Sequence, residues 1–316
     1  RGQTLNYADY KTDLGNGTFV LNIDALRRDL LKLLLSNMGI SPSEFDKLNP
    51  KDVNWDINYV SLLAKKPIRD EGELAELVRV SSLGQFNDYI KDPANKHGAA
   101  NAVTEKAFND NGLSYSNWIS GPEAKTFKLG QKDYTIKLWN RVPQESLFDG
   151  SYTTCCTALN GSNGGSMANY LLNTAINVVE VRDKKGNVVS MSRCYVANVG
   201  GKNTLVIENI EANNKLIKEM SDYEGNIELA NNIFDYMKDF ADQIGGKDMP
   251  VLMSTSYLKI GTQPYANLKK VKKDITFLGK ISKDDIYLNT FQMYVDANNL
   301  KDKSAEFYVI RGDNNE

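Results

Sequence analysis

The chain has 316 residues, of which 41% are hydrophobic and 25% charged, and this composition is typical of a soluble globular protein with one large or two ordinary domains. The formal net charge of −2 gives no electrostatic reason to expect a nucleic acid or an anionic membrane as partner. No uninterrupted apolar run approaches the roughly 18 residues of a membrane-spanning helix, and the first residues lack the charged-then-apolar layout of a signal peptide.

The first residue and the cysteine content suggest a cellular context. The chain begins with Arg1 instead of Met, which suggests an excised piece of a longer polypeptide with neighbouring domains. Three cysteines do not make a disulfide framework for a protein of this size. We therefore expect a reducing compartment, the cytoplasm being favoured.

The N-terminal part of the chain carries helix signals. A leucine repeat at helical spacing stops at Gly39, and its members are Leu26, Leu30, Leu33 and Leu34. The run Ser41-Pro42-Ser43-Glu44 is a capping box with proline at the first helical position. Further helices are predicted over three segments, 56–66, 71–92 and 99–111.

A change in pattern follows the breaker pair Gly121-Pro122, because the chain becomes rich in β-strand signals from Thr126 onward. We therefore predict an α-helical domain over residues 1–125 and an α/β domain over residues 126–316. The expected fold class is α+β, with a helical N-terminal region followed by a mixed β-sheet with flanking helices.

Two adjacent cysteines form the first chemical candidate. If Thr153 or Thr154 caps a helix, Cys155 or Cys156 lies in its first turn, where the helix dipole favours a thiolate. This arrangement would suit a cysteine-dependent hydrolase or transferase. The alternative is that both are buried structural residues, and the one histidine of the chain, His97, lies far upstream. Adjacent cysteines also lack the two-residue spacing of a zinc site, so we predict no metal.

The segment from Ile176 to Ser254 has the order strand, strand, strand, helix, strand. Residues 176–183 and 188–199 flank a turn and predict a hairpin, and residues 204–212 predict a third strand. An amphipathic helix then leads into the apolar strand 251–256. Over roughly residues 127–310, this order resembles the GNAT acyl-coenzyme A N-acyltransferase family, whose domain is a mixed sheet with flanking helices.

The resemblance implies transfer of an acyl group from acetyl-CoA or another acyl-CoA to an amine on a small molecule or a protein. Backbone groups of the strand 204–212, those of Ile210 and Ala212 among them, would pair with the pantetheine arm. The pyrophosphate would lie at the start of the long helix, and the residues that the resemblance places there are Lys215, Lys218, Gly225 and Asn226.

The resemblance also implies catalytic residues. Glu208 and Glu211 would be the candidate bases, and Tyr257 would reprotonate the leaving thiolate. A carboxylate on an apolar strand suits a general base when it is unpaired. The alternative is that Glu208 pairs with a buried arginine such as Arg193 on the neighbouring strand, and that Tyr257 only packs.

The connection before the long helix favours a second function. Residues 213–226 contain one glycine, and Asp222 and Glu224 close to the helix start would repel a pyrophosphate. If no pyrophosphate binds there, we expect the chain to be a catalytically inactive binding or scaffolding module of a larger protein. The acyltransferase and the inactive module thus remain open beside the cysteine-dependent enzyme.

Overall fold

The computed structural model describes residues 6–22, 98–278 and 304–312, apart from short gaps at 142, 160, 163–165, 221–222, 256–257, together with six single positions between 25 and 36. The predicted helices at 56–66 and 71–92, the capping box and His97 lie outside the described residues. Within them, no helix is long and apolar enough to cross a membrane.

The described helices are α1 Gly98–Asp110, α2 Tyr115–Ser120, α3 Pro143–Ser146, α4 Asp149–Tyr152, α5 Ser166–Leu172, α6 Asn214–Glu219 and α7 Tyr223–Gly245. The described strands are β1 Lys11–Gly15, β2 Thr18–Leu21, β3 Lys125–Leu129, β4 Lys132–Leu138, β5 Ile176–Asp183, β6 Val188–Val199, β7 Lys202–Ile207, β8 Glu211–Ala212, β9 Val251–Ser254, β10 Lys270–Phe277 and β11 Ser304–Arg311.

The predicted fold class is wrong. Where a helical region was expected, residues 11–21 form an antiparallel β1–β2 hairpin and, before α1, only the six described positions between 25 and 36 are α-helical, and a nine-stranded mixed sheet dominates the rest of the described chain. Helices α2, α3, α4 and α6 have only four to six residues. The signal for the hairpin is Asn16-Gly17, because both residues have the positive φ that a tight hairpin turn requires. The helix predicted at 99–111 is confirmed as α1.

The chain forms two compact units. One comprises residues 1–96, 141–148 and 156–168, and its described hairpin exposes Leu14, Phe19 and Val20. The other comprises residues 97–140, 149–155 and 169–316 and contains the large sheet.

The large sheet has the strand order β10-β11-β9-β7-β6-β5-β4-β3. The predicted 176–199 hairpin is confirmed as β5–β6, with Gly186 at positive φ in its turn. Strands β7 and β9 run parallel, with Leu205 opposite Val251, whereas the other pairs are antiparallel. A parallel pair needs a long crossover, and the 23-residue helix α7 lies in this connection.

The end of β6 closes part of the sheet into a ring. Residues 197–199 pair with β7 on one side and with β10 on the other, with Ile275 opposite Val199. The ring is therefore β6, β7, β9, β11 and β10. Its interior is an apolar core made of Tyr195, Ala197, Val199, Val206, Leu252, Ile275 and Phe307.

Helix α7 packs on the sheet through large buried side chains. Phe240 stacks on Trp118 of α2, with ring centroids 5.3 Å apart. The Tyr236 hydroxyl donates to the carbonyl of Pro122 and accepts from the N–H of Leu138 in β4. These contacts hold α7 against the sheet, and with it the two strands that it connects.

Candidate functional site

The candidate site is an opening in the sheet at the C-terminal ends of β7 and β9. Their parallel pairing stops after Ile207 and Met253. Beyond this point the chain from β7 stays on β6, since Glu211 of β8 pairs with Met191. The two parallel strands therefore separate, and we call the space that follows Ile207 and Met253 the opening.

A β-bulge marks the start of the opening. Ile207 lies opposite Cys194 and Glu211 opposite Met191, so three residues, 208–210, face two residues of β6. The side chain of Asn209 replaces the missing backbone partner, because its Oδ1 accepts from the N–H of Arg193 at 3.3 Å. The single strand predicted over 204–212 is thus divided into β7 and β8.

Glu208 forms a buried ion pair at the bulge. The Nε–H of Arg193 donates to its Oε2 at 2.9 Å, and the Arg193 side chain is fully buried. The Arg193 guanidinium carbon lies 5.2 Å from the centroid of the Tyr170 ring, which is cation–π geometry. The predicted alternative, in which Glu208 pairs with Arg193 on the neighbouring strand, is therefore confirmed.

Glu211 is paired as well. Lys259, in the loop after β9, places its Nζ 3.7 Å from Glu211 Oε2, and the Asn209 Nδ2 donates to the other carboxylate oxygen at 3.1 Å. Lys259 also donates to the carbonyls of Thr153 and Thr154. One lysine thus connects the segment after β9, the segment after β7 and the turn after α4.

Burial strengthens this polar cluster. Glu211 is completely buried, and only 13% of the Lys259 side chain is exposed. Tyr195, next along the inward face of β6 from Arg193, is also buried, and burial together with the nearby Glu208 charge raises the pKa of its hydroxyl well above the ordinary value. Tyr195 therefore stays protonated at neutral pH.

Reasoning from sequence missed Lys259 and the carbonyl role of the threonines that it contacts. Lys259 stands between Leu258 and Ile260 in an apolar stretch, and Thr153 contributes only a backbone carbonyl. A lysine between apolar residues is a weak signal, since long charged side chains often cover apolar surface. The two carbonyl acceptors of Lys259, those of Thr153 and Thr154, are more than 100 positions away in sequence.

The cysteines do not have the environment that an activated thiol needs. Helix α4 ends at Tyr152, and no helix begins at Thr153 or Thr154, so Cys155 lies after a helix end instead of in a first turn. The Cys155 side chain is buried in the compact unit that contains the large sheet. Cys156 is half-buried and belongs to the compact unit that includes residues 1–96. No cluster of metal-ligating side chains occurs among the described residues.

The residues predicted to hold the cofactor are dispersed. Ile210 and Ala212 are buried beside the bulge. Lys215 and Lys218 lie exposed on α6, a helix capped by the Asn213 side chain. Gly225 and Asn226 lie in the first turn of α7, and Tyr257 is outside the described residues.

These positions do not fit an acyl-CoA pyrophosphate. A glycine-rich turn is absent from the described connection between β8 and α7, which instead contains α6. The acidic residue in the first turn of α7 is Glu224, which opposes an anion at the helix N-terminus. The pairing of β7 with β9 ends at the opening, but the start of α7 carries Glu224 where a group that holds the diphosphate would be needed.

No protein-family model matches this chain, and no curated protein sequence matches it. Function is therefore inferred from the geometry and charge of the opening.

Proposed function

We propose that this chain is a catalytically inactive binding module whose opening is closed by ion pairs. The observation that carries this proposal is the Lys259 side chain, which contacts Glu211, Thr153 and Thr154 and so bridges the opening. A thioester arm that entered between β7 and β9 would have to displace these contacts.

The charges in the opening support an inactive module. Arg193 and Lys259 balance Glu208 and Glu211, so the cluster has no net charge and each carboxylate has a cationic partner. A general base for an amine must be able to accept its proton. Separating a buried ion pair costs about 3–5 kcal/mol, which opposes this role for both glutamates.

The start of α7 supports the same function. Glu224 lies in its first turn, and the lysines Lys215 and Lys218 lie on a separate short helix. Affinity for acyl-CoA depends on the diphosphate, whose charge the Glu224 carboxylate at the helix start would repel. A module without a diphosphate site can keep the sheet while binding a different partner.

A second candidate is N-acyl transfer from a thioester, and the opening itself favours it. The bulge at 208–210 places an irregular backbone at the end of a parallel strand pair, and bulges are frequent next to active sites. The amine nitrogen would form a bond to the thioester carbonyl carbon, the C–S bond would break with release of the thiolate, and Glu211 would receive the amine proton, which would then protonate the thiolate to the free thiol. Glu208, paired with Arg193, would only position the bulge.

Isothermal titration of the wild-type chain with acetyl-CoA and with CoA separates the two candidates. The inactive module predicts no saturable heat up to about 1 mM of either compound, which corresponds to less than about 4 kcal/mol of binding free energy. S-acetylpantetheine lacks the diphosphate nucleotide. Its titration therefore tests whether the opening binds a thioester arm when no diphosphate meets the start of α7.

The outcomes divide cleanly. Micromolar binding of acetyl-CoA, together with thiol release when an amine is added, would refute the inactive module. A Glu211→Gln variant should then lose thiol release, whereas the control Glu219→Gln, which changes a partly exposed carboxylate on α6, should retain it. Binding of S-acetylpantetheine alone would also refute a closed opening and would favour a thioester donor without a nucleotide.

A further inference from the structure

The β1–β2 hairpin carries most of the exposed large apolar side chains of the described residues. Three of the four lie on it, namely Leu14, which is 63% exposed, and Phe19 and Val20, which are 51% exposed. All five residues of β1 are exposed. Exposed apolar side chains that cluster on one element mark an interaction surface more often than scattered ones do.

The outer edge of β1 has backbone groups that point away from β2. Within the described part of the chain, this sheet contains β1 and β2 alone. The N–H of Asn22 donates to the carbonyl of Tyr10 at 2.8 Å, so these two residues form a hydrogen-bonded pair. Such pairs alternate along an antiparallel ladder. Thr12 therefore bonds to β2, whereas the backbone groups of Lys11 and Asp13 lie on the outer edge.

This edge is complementary to itself. If β1 pairs antiparallel with β1 of a second copy about a twofold axis at Thr12, Lys11 of each copy lies opposite Asp13 of the other. The N–H of Asp13 then donates to the carbonyl of Lys11 in the second copy, and the symmetric bond forms in return. The N–H of Lys11 is not required, because it already donates to the carbonyl of Ala8.

The side chains of Lys11 and Asp13 favour the same pairing. They share one face of β1, and opposite charges that face each other across an antiparallel pair stabilise it, whereas like charges destabilise it. The Lys11 Nζ lies 4.2 Å from the centroid of the Phe19 ring, and Asp13 accepts from the N–H of Gly15 at 2.8 Å. Neither contact supplies an opposite charge, so both charges remain uncompensated within the hairpin.

We infer that this chain self-associates through the outer edge of β1, as a twofold dimer whose two hairpins form one four-stranded antiparallel sheet. The pairing covers an open strand edge, and it extends a two-stranded sheet, which by itself is marginally stable. Leu14 lies across from Tyr10 of the second copy in this register, so its apolar side chain loses contact with water. The hairpin belongs to the compact unit that includes residues 1–96, and the dimer does not depend on what the opening binds.

Sedimentation of the wild-type chain at low salt, between about 10 μM and about 1 mM, tests the dimer. We expect a monomer–dimer equilibrium within this range that weakens as salt is raised. Hydrogen exchange locates the contact, because the amide of Asp13 should exchange more slowly as the protein concentration rises. The amides of β3, the terminal strand of the large sheet, should not change. A chain that stays monomeric at about 1 mM would overturn the proposal.

Charge exchange tests the register. Lys11→Asp alone and Asp13→Lys alone each place like charges opposite one another, so each should weaken the dimer by about tenfold or more. The double variant Lys11→Asp with Asp13→Lys restores opposite charges and should recover the dimer. A mixture of the two single variants should form a heterodimer for the same reason, which distinguishes lost pairing from a misfolded hairpin.

The matched control is Lys184→Asp, which makes the same change of charge at an exposed position in the β5–β6 turn. This variant should dimerise as the wild-type chain does. Equal weakening by Lys184→Asp and Lys11→Asp would show that only net charge matters. That result, or a dimer that neither the double variant nor the mixture recovers, would contradict pairing through β1.

Discussion

Arg193 is the side chain on which the buried cluster depends most. It is fully buried on an inner strand, where an unpaired guanidinium would be costly, and its Nε–H bond to Glu208 and its contact with Tyr170 compensate for lost hydration. Glu208 is therefore better understood as the counter-ion of Arg193 than as a free base.

Replacing Arg193 by methionine should destabilise the chain by about 3–5 kcal/mol, because it leaves the buried Glu208 carboxylate without its partner. The double variant Arg193→Met with Glu208→Met should recover most of this loss, since neither charge remains. Urea unfolding measures both. The control Lys106→Gln, which removes an exposed pair with Asp110 on α1, should change stability by less than about 1 kcal/mol. Additive losses in the double variant would show that the two residues are not coupled.

The Arg193–Glu208 pair was predictable from sequence, whereas the neighbouring Lys259–Glu211 pair was not. Two opposite charges on adjacent, otherwise apolar strands have few other partners in a buried sheet, and the strands are consecutive in the chain. The Lys259–Glu211 pair joins segments on either side of α7, and sequence does not specify how a loop after β9 returns to the sheet.

The bulge at 208–210 determines how the two parallel strands separate. It inserts one residue relative to β6, and the chain can resume pairing at β8 because Asn209 satisfies the N–H of Arg193 with its side chain. An alternating pattern from 204 to 212 predicts one continuous strand. A hydrophobic pattern cannot reveal the inserted residue of the bulge, because Asn209 stabilises the bulge through a side-chain hydrogen bond and not through burial of an apolar side chain.

An Asn209→Ala variant should lose about 1–3 kcal/mol of stability, since the buried N–H of Arg193 is then left without its side-chain acceptor. Hydrogen exchange provides a local readout, and the amide of Arg193 should exchange faster in the variant. The control Asn213→Ala removes the N-cap of α6 and should leave that amide unchanged. Unaltered exchange at Arg193 in the Asn209 variant would contradict the bulge hydrogen bond.

The chain as a whole buries several tyrosines around its sheet, and this makes its stability sensitive to alkaline pH. Burial raises the pKa of Tyr236 from 10.0 to about 12, and burial likewise raises the pKa of Tyr195 and Tyr265. Each folded-state pKa is higher than the unfolded one, so the stabilisation is complete below the unfolded pKa and decreases as pH rises through the folded pKa.

We therefore expect the urea midpoint to fall as pH increases from about 10 toward 12. The Tyr236→Phe variant should be less stable at neutral pH, because Leu138 and Pro122 lose their hydrogen-bond partner, and its alkaline decline should be shallower. The slope of stability against pH separates these two effects. A variant with the same alkaline slope as the wild-type chain would show that Tyr236 does not contribute to the pH dependence.

Local patterns in the sequence were sufficient for the β5–β6 hairpin, the helix α1 and the long helix before β9, because each depends on residues that are close in the chain. The tertiary structure alone decided the ring closure by β10, the break between β7 and β8, and the Lys259 bridge. These features depend on pairs far apart in sequence, such as Ile275 with Val199 and Lys259 with Thr153. Periodicity reports which face of an element is buried but not which distant backbone or charged group that face contacts, and the opening is formed by such long-range contacts.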